Sequence, residues 1–153
     1  MSRHIALYDA FTDIGSAERQ QLVQFLSANA EGANVALANE AIDYSLKIKP
    51  SFGGFILVSW SNARINGALV INKTGMSGFS PEYLLTYAAV HPEASEAPEV
   101  LEALVQKAVN HTGGNLAYHL PVRHPALKVF QALGFKQECV ELRFRSRKLE
   151  PSR

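Results

Sequence analysis

A chain of 153 residues, 47% hydrophobic and 19% charged with a formal net charge of +1, suits one domain with a sizeable core. A balance this close to neutral gives no electrostatic footing for nucleic acid or for an anionic membrane surface. The single cysteine, Cys139, excludes an internal disulfide and a thiolate metal site, and no metal is expected. The apolar run after Met1 is too short for a signal peptide and nothing approaches a membrane span, so a cytoplasmic location is expected. The basic tail RFRSRKLEPSR reads as a solvated extension, with residues 1–146 forming the domain and 147–153 a disordered end.

IALY (Ile5 to Tyr8) suits a first strand. Gly15-Ser16 offers a helix start with Ser16 as acceptor for first-turn amides, and Leu22, Val23, Phe25, Leu26 and Ala30 line one face up to Gly32. Asn34 is placed to cap a second helix carrying Ala38, Ala41, Ile42, Ser45 and Leu46, which Pro50 should end. GGFILVSW (Gly53 to Trp60), the turn SNAR and INGALVIN (Ile65 to Asn72) predict an antiparallel hairpin. KTGMSGFSPE (Lys73 to Glu82) is a loop, and LLTYAAVH (Leu84 to His91) a buried strand. PEVLEALVQKAVNHTGG (Pro98 to Gly114) is an amphipathic helix with a glycine stop, and NLAYHL (Asn115 to Leu120) a further strand. HPALKVFQALGF (His124 to Phe135) is a short helix, and CVELRFR (Cys139 to Arg145) alternates like a last strand with one wet face. The order predicts an α/β (α+β) domain. Its sheet is mixed, mostly antiparallel and twisted, with about six to seven strands and about four helices on its faces.

This order, and HPALKVFQALGF above all, resembles the GNAT acyltransferases, which move an acyl group from coenzyme A to an amine. The resemblance implies a splay between the strand Leu84–His91 and the next, where backbone at Ala88, Ala89 and Val90 would bind the pantetheine arm. It implies acetyl-CoA, or another acyl-CoA, as donor and a small-molecule or peptide amine as acceptor. A homodimer pairing CVELRFR across a two-fold axis is compatible with it.

Two positions depart from the family pattern. The glycine-rich phosphate turn Q/R-x-x-G-x-G/A is replaced by PEASEAPE (Pro92 to Glu99), which has no glycine and no base. Ser95, Glu96 and Ala97 fall where the phosphates would lie, and Glu93, Glu96, Glu99 and Glu102 crowd the helix start. The tyrosine that often protonates the departing thiolate is Phe130 here, which can pack beside a thioester but cannot donate. His124 stands at the family's asparagine, as a helix cap or a cofactor contact. By position Glu82 is a candidate general base, weighed against an ordinary exposed glutamate. His119 is a second candidate, weighed against a structural histidine. No role follows for His91, Tyr87 or Tyr118. The alternative function is a catalytically degenerate scaffold of this fold, acting as a ligand-binding or interaction module.

Overall fold

The computed structural model describes residues 3–48, 52–76, 78, 81–92, 96–121 and 123–146. Pro50, Ser95 and the tail 147–153 lie outside them. Five strands run in chain order across one sheet: β1 (Arg3–Tyr8), β2 (Gly54–Ser61), β3 (Arg64–Lys73), β4 (Tyr83–Val90) and β5 (Leu116–Tyr118). β1 to β4 pair antiparallel, and β5 joins β4 in parallel. Four helices complete the domain: α1 (Ser16–Asn29), α2 (Val35–Ser45), α3 (Ala97–Thr112) and α4 (Ala126–Ala132). A crossover of helix length is what a parallel neighbour requires, and α3 supplies it between β4 and β5.

The two faces of the sheet carry separate cores. On one, Leu22, Leu26, Ala38 and Ile42 of α1 and α2 meet Ile56, Val58, Val70 and Ala89. On the other, Val100, Leu104, Val105 and Ala108 of α3, with Phe130 of α4, meet Phe55, Leu57, Leu69, Ile71 and Leu85. β2 and β3, buried on both faces, therefore read as continuous apolar runs, and no period of two survives in them.

The helix ends follow local chemistry. Asn34 Oδ1 accepts from the Leu37 amide at 2.9 Å, the expected cap of α2. α1 differs from expectation: its cap is Gly15, and Ser16 is already helical. α2 also ends early, at Ser45, where the Leu46 amide closes onto the Ile42 carbonyl and Lys47 adopts φ 61°. α3 stops at Gly113, whose left-handed φ of 68° is the conformation glycine adopts without a Cβ penalty.

The last predicted strand does not form: Cys139–Arg145 is irregular, with Val140, Leu142 and Phe144 exposed, so the described residues make five strands and not six or seven. β5 spans only three residues and is followed closely by Pro121, which has no amide to donate. The alternation in CVELRFR marks faces but supplies no neighbour to pair with.

α3 sits close on the sheet over Gly67 of β3. A Cβ there would fall 2.6 Å from Val100 Cγ1 and 2.9 Å from Leu104 Cδ1, both in the first half of the helix. Gly67→Ala should therefore lift that end of α3 and cost about 1–3 kcal/mol in chemical denaturation, as overpacking does. A loss under about 0.3 kcal/mol would show that the contact yields freely.

Candidate functional site

β4 is paired along its whole length on one side only. Against β3 it runs from Lys73↔Tyr83 to Gly67↔Val90. Against β5 it pairs only at Tyr83↔Leu116, Leu84↔Ala117 and Leu85↔Tyr118. From Thr86 to Val90 its far edge has no strand beside it among the described residues, since β5 ends at Tyr118, and this is the fork in the sheet.

A bulge starts the fork. Val70 pairs with Tyr87 and Ile71 with Leu85, which leaves Thr86 as an extra residue. Thr86 Oγ1 donates to Asn72 Oδ1. Asn72 Nδ2 donates to the Ala41 carbonyl at 3.2 Å and to Ser45 Oγ at 2.8 Å. Ser45, fully buried on α2, donates to the Ile71 carbonyl at 3.0 Å. Thr86 and Tyr87 thus both face α1 and α2, whereas Leu85 and Ala88 face α3 and α4. Alternation is reset by one residue, and the β4 backbone is turned out of register with β5.

The predicted pantetheine positions lie on the open edge. Ala88 is half-buried on the α3 face, and Ala89 is buried among α1 and α2. Val90 ends β4 opposite Gly67. Their backbone groups on the β5 side pair with no strand among the described residues. Glu96 caps α3 through its backbone, accepting from the Val100 amide at 2.9 Å, and Ala97 opens the helix. Pro98 in the first turn has no amide and Glu99 adds a carboxylate, so this helix end is already complemented by negative charge.

Phe130 is 3% exposed, with its ring 4.8 Å from that of Tyr118 and 5.2 Å from that of Phe135. It acts as packing beneath the fork. His124 caps α4: its Nδ1 accepts from the Ala126 amide at 3.0 Å. That bond leaves Nε2 to carry the ring proton, and Nε2 lies 3.4 Å from Glu31 Oε2 on the α1–α2 connection. Burial first, and then the Glu31 carboxylate, raise the pKa of Tyr118 above the ordinary phenol value. Burial and then Glu40 do the same to Tyr87 across the fork.

The structure does not bring Glu82 and His119 together. Glu82 precedes β4, 3.6 Å from Lys73 Nζ, beside a shallow depression shared with Phe52, Gly75 and Met76. It lies about 13 Å of strand from the bulge, at ~3.3 Å per residue. His119 was expected on the fifth strand facing the splay. It falls one residue beyond β5, with its side chain 59% exposed and Nδ1 3.8 Å from Glu141. Among the described residues no three His, Cys, Asp or Glu gather as a metal site, and no helix is long and apolar enough to cross a membrane.

No family model and no curated protein matches the chain. Solved structures do. An aminoglycoside N-acetyltransferase in complex with CoA superposes with a TM-score of 0.62 at 16% identity, over 96% of this chain and 97% of that one. A GNAT-family acetyltransferase from Streptococcus pneumoniae gives 0.66 at 10% identity, over 95% and 99%. The fold is that of the GNAT acetyltransferases. A transcriptional regulator from Bacillus halodurans is also similar, with a TM-score of 0.58 at 17% identity over 92% and 100%. The splay expected between β4 and β5 would fall at the stretch Thr86–Val90, where β4 runs on past the end of β5.

Sequence reasoning missed Thr86, Asn72 and Glu31 and left Tyr118 without a role. A bulge has no mark in LLTYAAV, and Glu31 meets His124 only through the fold. The polar residue Asn72 ending an apolar strand was the one available signal. Asn72→Ala should remove two donated bonds and the anchor of Thr86, costing about 1–3 kcal/mol in thermal or urea unfolding. An unchanged midpoint would mean that the bulge is held by the ladder alone.

Proposed function

We propose that the chain is a CoA-dependent N-acyltransferase, carrying the acyl group of acetyl-CoA or another acyl-CoA to the amine of a small molecule or peptide. The fork between β4 and β5 carries this reading. An extended amide-bearing chain, such as pantetheine, can add to the free edge Thr86–Val90 as a strand would, through backbone groups that need no particular side chain. The small side chain of Ala88 keeps that edge open on the α3 face. The solved relative with CoA bound supports the same choice of ligand. Rate in such a site comes largely from holding amine and thioester together, so a missing proton donor on α4 need not abolish it.

The pyrophosphate would meet a different environment from the glycine turn. Glu96 and Glu99 stand at the start of α3. Two unit charges about 4 Å apart repel by ~1 kcal/mol in water and ~4 kcal/mol near a protein surface. On this reading the pantetheine arm, not the phosphates, supplies most of the affinity, and Ser95, Glu96 and Ala97 bind the phosphates weakly. A second reading, a scaffold that binds a ligand or partner without turnover, is favoured by the same acidic helix start and by the burial of Phe130.

Titration calorimetry with acetyl-CoA, dephospho-CoA and pantetheine separates the two. Saturable binding of all three, with less than about tenfold between CoA and pantetheine, is expected, together with thiol release on adding amines. Absence of any heat up to millimolar acetyl-CoA would end the acyltransferase reading. Binding without thiol release across a broad amine panel would favour the scaffold.

A further inference from the structure

Exposure along the segment after α4 runs the wrong way round. Val140, Leu142 and Phe144 are 79%, 92% and 94% exposed. Between them, Glu141 Oε2 lies 3.8 Å from His119 Nδ1, and Glu141 Oε1 ion-pairs with Arg143. The charged side of the segment is thus engaged with its own chain, and the apolar side is left to water. A strand with one wet face does the reverse. Residues 139–145 belong to neither core and join no strand of the sheet among the described residues. They form an extended edge with free backbone groups, which is a template for another strand.

We propose that this edge is an interface with a second copy of the chain, the two segments pairing antiparallel about a two-fold axis at Leu142. The segment is complementary to itself in that register. Leu142 meets the partner's Leu142, Val140 meets the partner's Phe144, and Glu141 meets the partner's Arg143. Two-fold symmetry makes the last two pairs occur twice. Opposed residues share a face, so six apolar side chains gather on one side of the ribbon and four charges pair on the other.

Neighbouring registers lack this match. A centre at Glu141 opposes two glutamates, and a centre at Arg143 opposes two arginines. A centre at Val140 sets Leu142 against Glu138, and one at Phe144 sets Arg143 against Arg145. Like charges directly opposed destabilise a ladder. A slip of one residue sets apolar side chains against charged ones. A ladder of seven residues buries less than the roughly 1,600 Å² of a standard interface, so the dimer is weak and forms with concentration. This pairing is independent of the acyltransferase reading.

Sedimentation velocity on the full chain tests it. Wild type should pass from monomer to dimer over roughly 1–500 μM, the range of a small interface. Glu141→Arg alone and Arg143→Glu alone each oppose like charges and should weaken association about tenfold or more. An equimolar mixture of the two variants restores opposite charges in both pairs and should dimerise like wild type. The register is read by oxidation. In a Cys139→Ser background, Leu142→Cys should form a disulfide dimer, because opposed Cα atoms lie about 4.5–5.5 Å apart. Val140→Cys should not, since the two copies of that residue lie roughly 13 Å apart along the ladder. These positions are outside both cores, so the melting temperature should hold in every variant. A wild type that stays monomeric and does not cross-link through Leu142→Cys would overturn the proposal. So would a dimer that both single charge variants leave intact, a mixture no more associated than its components, or Val140→Cys cross-linking as readily as Leu142→Cys.

Discussion

The site depends on one residue too many in β4. Thr86 has no partner of its own on β3, and a residue inserted on one side of a ladder must turn the strand. An unsupported bulge would slide, because moving it by one position flips every side chain beyond it to the other face. Asn72 prevents that. It spends its amide on α2 and its carbonyl on Thr86, so a helix on one face of the sheet fixes the position at which β4 leaves β5. The stretch of β4 proposed to take the pantetheine arm, Thr86–Val90, begins at that point.

The fork and the helix that follows it make opposite electrostatic demands. An open strand edge is neutral and recognises amides. The start of α3 carries the positive end of a helix dipole, and in this chain Glu96 and Glu99 already sit there. That arrangement stabilises the helix and disfavours a phosphate at the same place. The consequence is a site whose selectivity would come from the arm of its ligand rather than from its charged end. The aromatic position on α4 belongs to the core: Phe130 is buried against the rings of Tyr118 and Phe135.

Much of the fold was legible because the strongest signals are local. The cap at Asn34, the stop at Gly113 and the apolar runs of β2 and β3 each follow from residues adjacent in sequence. CVELRFR misled because alternation reports which side of a strand would be wet, whereas pairing depends on a neighbour, and β5 is three residues long and soon followed by a proline. The positions Ala88, Ala89 and Val90 were reached through resemblance, and in the structure they lie on the part of β4 that runs past the end of β5. His119 and Glu82 were chosen by position along strands. A strand ending one residue early moved the first to the surface beside Glu141, and a lysine at the end of β3 faces the second. Glu31 and His124 are 93 residues apart in sequence, and no pattern in either segment joins them.

The central claim is that the free edge of β4 is where the ligand lies, and backbone amide exchange reads that edge directly. Exchange should be recorded residue by residue for the chain alone and with saturating acetyl-CoA. Slowing among the amides of Thr86–Val90 that face away from β3, by about tenfold or more while α1 is unaffected, is the result this account predicts. Unchanged exchange along Thr86–Val90 under conditions where the ligand is bound would place it elsewhere and contradict the account.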